Sequence, residues 1–171
     1  MDDRKASFAP VTDRATRLLV LGSLPGEASL RAARYYAHPQ NQFWRLMGAV
    51  IGADLAAAGY EARLDLLRSR GVGLWDVVRS ARRAGSLDAA IRDHQPNALA
   101  ELAATLPALA AIAFNGATAA ALGRKALGAG AVWTLVPLPS SSPAHTLRFE
   151  AKLERWLTLQ RYLAPGASPI R

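Results

Sequence analysis

Residues 17–44 read RLLVLGSLPGEASLRAARYYAHPQNQFW. The apolar run Arg17-Leu18-Leu19-Val20-Leu21 has the length and composition of a buried strand, and it leads directly into the turn Gly22-Ser23-Leu24-Pro25-Gly26. A polar and aromatic segment, Tyr35-Tyr36-Ala37-His38-Pro39, then opens a helix at Asn41. A glycine-bounded turn, two stackable rings and a helix N-terminus thus fall close together, a layout suited to a flat polar ligand such as a nucleobase. By its own residues the turn is an ordinary strand-to-helix connection. No Gly-Lys-Ser/Thr follows, as a phosphate-binding loop requires, and leucine rather than serine stands midway between the glycines, so it is not a nucleophile elbow.

Outward from this stretch, strands and helices alternate. Asn41–Ile51 predicts a helix, since Phe43, Leu46, Met47, Val50 and Ile51 recur at helical spacing. Tyr60–Arg70 is a second helix, with Gly71 as its stop, and Val72–Val78 reads as a strand. Ser86-Leu87-Asp88 starts a short helix and Asn97–Leu106 another. Leu109–Phe114 is a buried strand, Gly116–Leu127 an alanine-rich helix, Val132–Leu138 a fourth strand and Arg148–Leu163 a closing amphipathic helix. This order predicts an α/β protein, a three-layer α/β/α sandwich on a mainly parallel four-stranded sheet. One domain over 17–164 is expected, with 1–16 a flexible arm and 165–171 a loose tail. The polar, glycine- and proline-rich segments follow the strands' C-terminal ends, where open parallel sheets bind ligands. Asp76 lies near such an end.

Half of the 171 residues are hydrophobic, enough for one real core. No apolar run is long enough to span a bilayer, and Met1-Asp2-Asp3-Arg4-Lys5 lacks the apolar region of a signal peptide, so a cytoplasmic location is expected. With no cysteine, disulfides and thiolate-held clusters or zinc are excluded. Three histidines without HxxxH spacing make no zinc motif. The net charge is +8 and all but three of the 21 basic residues are arginine, which fits a polyanionic partner or a codon-biased genome equally.

The segment Tyr35-Tyr36-Ala37-His38-Pro39-Gln40-Asn41-Gln42-Phe43-Trp44, with its spacing from Gly22, resembles the uracil-DNA glycosylase superfamily. Within it the chain is similar to the mismatch-specific uracil/thymine glycosylases and their hypoxanthine-DNA glycosylase relatives. Leu138-Pro139-Ser140-Ser141-Ser142-Pro143-Ala144-His145 resembles the family's second motif, a Ser-Pro loop that enters the minor groove, and Phe114-Asn115-Gly116 resembles a Phe-Asn-Gly of the thymine glycosylases. The mismatch enzymes carry a similar Gly-x-Asn-Pro-Gly turn whose asparagine positions the attacking water. Leu24 stands at that asparagine, as an apolar residue does in the hypoxanthine branch.

The resemblance implies a monofunctional DNA glycosylase, with double-stranded DNA carrying a deaminated or mismatched base as partner, a monomer and no cofactor or metal. It implies Asn41 and the Ser23 backbone as catalytic groups. Gly22, Leu24, Pro25, Gly26, Tyr36 and Asn115 are the candidate base contacts, Tyr36 by stacking. Ser140, Ser141, Ser142 and His145 are the candidate DNA contacts. Asn41 and Asn115 also read as local caps, Asp76 as a cap or supporting acceptor, and Arg79, Arg82 and Arg83 as phosphate contacts or a solvated face. Lys5, Lys125 and Lys152 lie outside the motifs, so no Schiff-base step is expected. Two other readings stay open: a serine hydrolase built from Ser23, Asp76 and His145, and a damaged-DNA-binding relative without chemistry.

Overall fold

A computed structural model describes residues 4–163; the tail proposed for 165–171 lies outside the described residues. Strand β2 (Leu18–Gly22) is buried along its whole length and is flanked on both sides. It pairs in parallel with β3 (Val72–Asp76) and with β6 (Ala111–Asn115), and β6 pairs in parallel with β7 (Thr134–Leu138). The resulting sheet has the order β3-β2-β6-β7 and all its strands run one way. Side chains alternate across it, as strand geometry requires. Leu18 and Val20 join Leu74 and Ala113 beneath α2 (Phe43–Ile51), α3 (Tyr60–Ser69) and α6 (Phe149–Leu157). Leu19 and Leu21 join Ile112 and Phe114 beneath α4 (Leu99–Ala104) and α5 (Ala117–Leu127). The three-layer sandwich expected from the alternating pattern is therefore present, its sheet apolar on both faces because both are covered.

Three local expectations need correction, and one short helix adds to the pattern. The run Val72–Val78 is not one strand: β3 ends at Asp76, and after Val77 the chain enters β4 (Val78–Arg82) of a second sheet. That sheet is antiparallel, in the order β1-β4-β5, where β1 is Arg4–Ala6 and β5 is Arg92–Pro96. The region around Ser86–Asp88 holds only a single 3₁₀ turn, Asp88–Ala90, before β5. A six-residue helix, α1 (Glu27–Ala32), follows the glycine-bounded turn. Residues 4–16 are not a loose arm: β1 pairs with β4, Val11 exchanges both backbone hydrogen bonds with Leu74, and Trp75 Nε1 donates to the Phe8 carbonyl.

Phe114 is fully buried between the sheet and the α4–α5 layer. Phe114→Ala should destabilise the protein by about 3–5 kcal/mol in urea unfolding. Val132→Ala, at a position 84% exposed, should change stability by no more than about 0.5 kcal/mol.

Candidate active site

At the C-terminal edge of the parallel sheet lies a cavity of about 490 Å³, within the usual range for a small-molecule or base pocket. Its wall comes from four places: the turn Gly22–Gly26 with the start of α1, the segment from Tyr35 to Asn41, the ends of β3 and β6, and the loop Ser140–His145. A fifth contributor is the β4–β5 loop, through Ser86, Leu87 and Asp88. The candidate catalytic and base contacts, and the Ser-Pro loop residues Ser140, Ser141, Ser142 and His145, all line this one cavity, whereas Arg79, Arg82 and Arg83 do not.

Asn41 precedes α2. Its Oδ1 accepts from the Phe43 backbone N–H at 3.0 Å and from Ser141 Oγ at 2.8 Å. Because one partner is a backbone N–H, that atom must be the oxygen. The capping-like bond and the cavity position therefore coexist, and the Nδ2 donors make no hydrogen bond among the described residues. Ser141 Oγ also accepts from Asn115 Nδ2 at 2.9 Å, and the Ser141 N–H donates to Asn115 Oδ1 at 2.8 Å. Asn115 Nδ2 reaches the Tyr36 hydroxyl at 3.3 Å. Four candidate residues thus form one connected network. Asn115 is not the cap of α5. Gly116 holds that position at a φ of +104° that favours glycine, and its missing Cβ would lie 3.2 Å from Ser140 Cβ.

Tyr36 has a left-handed φ of +52°, uncommon for a residue with a side chain. Its carbonyl accepts from Trp44 Nε1, and one ring face stacks on Phe43 with centroids 3.8 Å apart. Only the other face is left for a ligand. Burial, followed by the Asp76 charge, raises the Tyr36 hydroxyl pKa, so it stays neutral.

Several residues do something other than what the sequence suggested. Ser141 is 1% exposed with both polar side-chain and amide groups turned inward, so it is a strut rather than a phosphate contact. Ser23 Oγ donates to Asp88 Oδ1 at 2.6 Å. No hydrogen bond joins Ser23, Asp76 and exposed His145 among the described residues, so a serine-hydrolase triad is not formed. Leu24 packs with Val78 and Ala81 in a small apolar cluster. Arg83 is 2% exposed and donates to the Leu24, Pro25 and Gly85 carbonyls; it clamps the turn and cannot serve as a phosphate contact. Lys152, set outside the motifs by sequence, is buried behind the Ser-Pro loop, where Nζ donates to Gln42 Oε1 and the Ser142 carbonyl.

Asp76 is the group the sequence undervalued. Its side chain is 4% exposed, it lines the cavity, and Oδ2 is the one buried side-chain N or O atom without a hydrogen bond among the described residues. Burial, then the Asp88 charge, raises its pKa to about 7, against the opposing pull of Arg83. A Cβ on Gly22 would sit 2.6 Å from Asp76 Oδ1 and 3.2 Å from the Tyr36 hydroxyl, so only glycine lets carboxyl and ring approach here. The signal available in sequence was Asp76's place at a strand's C-terminal end.

The model of the uracil DNA glycosylase superfamily matches residues 9–163. The chain belongs to that superfamily. It is 44% identical over 113 residues to the hypoxanthine DNA glycosylase of Methanosarcina barkeri, 66% of this chain and 72% of that one. It is 37% identical over 158 residues to the hypoxanthine DNA glycosylase of Methanosarcina acetivorans, 92% of this chain and 99% of that one. A solution NMR structure from M. acetivorans, described as a candidate uracil DNA glycosylase, superposes with a TM-score of 0.83 at 38% identity, covering 94% of this chain and 98% of the other. The protein is a DNA glycosylase, which sets aside the serine-hydrolase reading.

Two outcomes follow from this geometry. Ser141→Ala leaves Asn115 Nδ2 short of a buried partner and frees Asn41, so it should cost about 1–3 kcal/mol in thermal unfolding. Asp76 binds its proton more tightly folded than unfolded, so its stabilising contribution is full below the unfolded value and is lost as pH rises through about 7. Wild-type stability relative to Asp76→Asn should therefore decline between about pH 4 and pH 7, by up to about 1.4 kcal/mol per pH unit, in urea titrations.

Proposed function

We propose that this glycosylase flips a deaminated base out of duplex DNA into the cavity and hydrolyses its N-glycosidic bond, leaving an abasic site. Hypoxanthine is the favoured base and uracil the second. The observation that carries this reading is the Asn41–Ser141–Asn115–Tyr36 network, which holds a stacking ring and an amide at the wall of one cavity. The two Methanosarcina relatives named hypoxanthine DNA glycosylase support the choice of base.

Asn41 Oδ1 already accepts two hydrogen bonds, the capacity of a carbonyl oxygen. What it has to offer a ligand is Nδ2, a donor. Negative charge grows on the base as the bond breaks, and a preorganised donor stabilises it. Asn41 therefore contacts the base rather than holding the water. Tyr36 supplies a flat surface on which a base of either ring size stacks. Flipping costs a few kcal/mol, least at mismatched or damaged pairs, which selects substrate before any bond breaks. The Ser140–His145 loop meets the phosphates through Ser140, Ser142 and His145. A monomer acting in the cytoplasm belongs to the same reading; among the described residues no helix is long and apolar enough to cross a membrane.

The test is release of base from duplexes carrying hypoxanthine, uracil, xanthine or a thymine mismatch, read as strand cleavage at the abasic sites. Hypoxanthine should leave fastest and thymine slowly or not at all. Asn41→Ala should lower the single-turnover rate by about 10²-fold or more, the usual effect of losing one such donor. Tyr36→Ala should slow excision strongly while Tyr36→Phe largely preserves it, since the hydroxyl makes only one long hydrogen bond. A folded Asn41→Ala protein with wild-type rates removes Asn41 from the mechanism. Uracil release without hypoxanthine release reverses the order of substrates.

A further inference from the structure

A carboxyl group buried without a partner is costly unless a ligand or a proton occupies it. Asp76 is such a group. It is 4% exposed, and its Oδ2 has no hydrogen-bond partner among the described residues. It is not hidden in the apolar core but lines the cavity at the end of β3. Its backbone is fixed on both sides. The carbonyl accepts from Asn97 Nδ2 at 2.8 Å, and Asp76 stands opposite Gly22 in the β2–β3 register.

The missing side chain of Gly22 sets what Asp76 faces. A single Cβ there would come within reach of both Asp76 Oδ1 and the Tyr36 hydroxyl. Carboxyl and ring are thus neighbours across one glycine. On the proposed reading, a base stacked on the free face of Tyr36 lies beside the Asp76 carboxyl. No side chain of the network hydrogen-bonds that carboxyl among the described residues: Ser141 and Asn115 are committed to each other and to Asn41 Oδ1.

We infer that Asp76 is a catalytic residue of the excision reaction, the acid that hydrogen-bonds the flipped base and gives it a proton as the glycosidic bond breaks. The inference rests on the glycosylase reading above. The bond between C1′ and the base nitrogen breaks with its electron pair going to the base. The proton on the Asp76 carboxyl moves to a nitrogen or oxygen of the base, so the base departs neutral. Water oxygen bonds to C1′ and releases one proton to solvent, and solvent returns one proton to Asp76. No further reactant is needed.

The surroundings suit this task. From the β4–β5 loop, Asp88 opposes ionisation of Asp76 and Arg83 favours it. From the segment before α2, Tyr35 and Tyr36 face it as neutral hydroxyls. Glu27 of α1 and the exposed His38 and His145 line the same cavity. Burial leads these effects and brings the carboxyl to about 7, near neutral pH, where a general acid works best.

The experiment is single-turnover excision of hypoxanthine from a duplex with one deoxyinosine, followed from about pH 5 to about pH 9, with wild type and Asp76→Asn. Loss of a general acid typically costs about 10²–10⁴-fold. The wild-type rate should fall roughly tenfold per pH unit above the acid's pKa. Asp76→Asn should be slower by about 10²-fold or more at the acidic end and should lack that limb, although both histidines remain. Its affinity for the duplex should change little.

Equal rates, or a slower variant that keeps the wild-type limb, overturn the inference; the second result makes Asp76 a positioning residue. If Asp76→Asn does not fold, the wild-type profile decides alone, and a rate that is flat or rising through neutral pH overturns the inference. A wild type that releases no base from any of the four duplexes overturns the glycosylase reading, and this inference with it.

Discussion

Ser141 has one hydroxyl, one amide N–H and one carbonyl, and all three are committed to other segments of the cavity wall. The hydroxyl joins Asn115 at the end of β6 to Asn41 before α2, the N–H returns to Asn115, and the carbonyl accepts from the Gln42 N–H. Three pieces of chain remote in sequence meet at this residue. Because it is almost fully buried, each bond replaces one to water that is no longer available, so the loss of any partner leaves a costly orphan. The orientation of Asn41 and the height of the Ser-Pro loop are both consequences of it. Lys152 supports the same loop from behind through the Ser142 carbonyl and Gln42, so the loop is held on two sides.

The opposite wall is organised by charge. Arg83 is buried with its donors on three backbone carbonyls, two of them in the turn after β2. Lys5 and Glu27 pair nearby, and Ser86 Oγ accepts from the Glu27 N–H, which ties the β4–β5 loop to the start of α1. The small antiparallel sheet thus serves the site as well as the fold: β4 and β5 carry the loop that brings Asp88 to Ser23 and its charge toward Asp76.

The parallel sheet was legible because Leu18–Leu21, Val72–Leu74 and Ala111–Phe114 are continuous apolar runs separated by helical patterns. The second sheet was not, since β1 and β5 are short and polar, and β5 is fully exposed. Without an apolar face, strand pairing leaves no period in the sequence. The split of Val72–Val78 was invisible for the opposite reason: Val77 and Val78 are buried on either side of the bend, so the apolar run continues through it. At the site, motif spacing brought the right residues to one cavity, but it could not tell a ligand contact from a strut. Ser141 and Arg83 read as phosphate contacts because serine and arginine often are. Only their burial and partners show otherwise. Asp76 read as a supporting group because an unpaired carboxylate can be recognised only when its surroundings are known.

Leu24 gains a different meaning from this packing. In the similar mismatch enzymes the corresponding position holds a water-positioning asparagine. Here the side chain sits with Val78 and Ala81, with Ile91 and Leu122 against them. Leu24 thus gives the cavity wall an apolar surface with no donor or acceptor. Groups able to act on a base must then come from the other strand ends and from the segment before α2. On the proposed reading Asn41 supplies a donor from one side and Asp76 a proton from the other. Both act on the leaving base rather than on water, and stabilising the leaving base demands no asparagine in the turn.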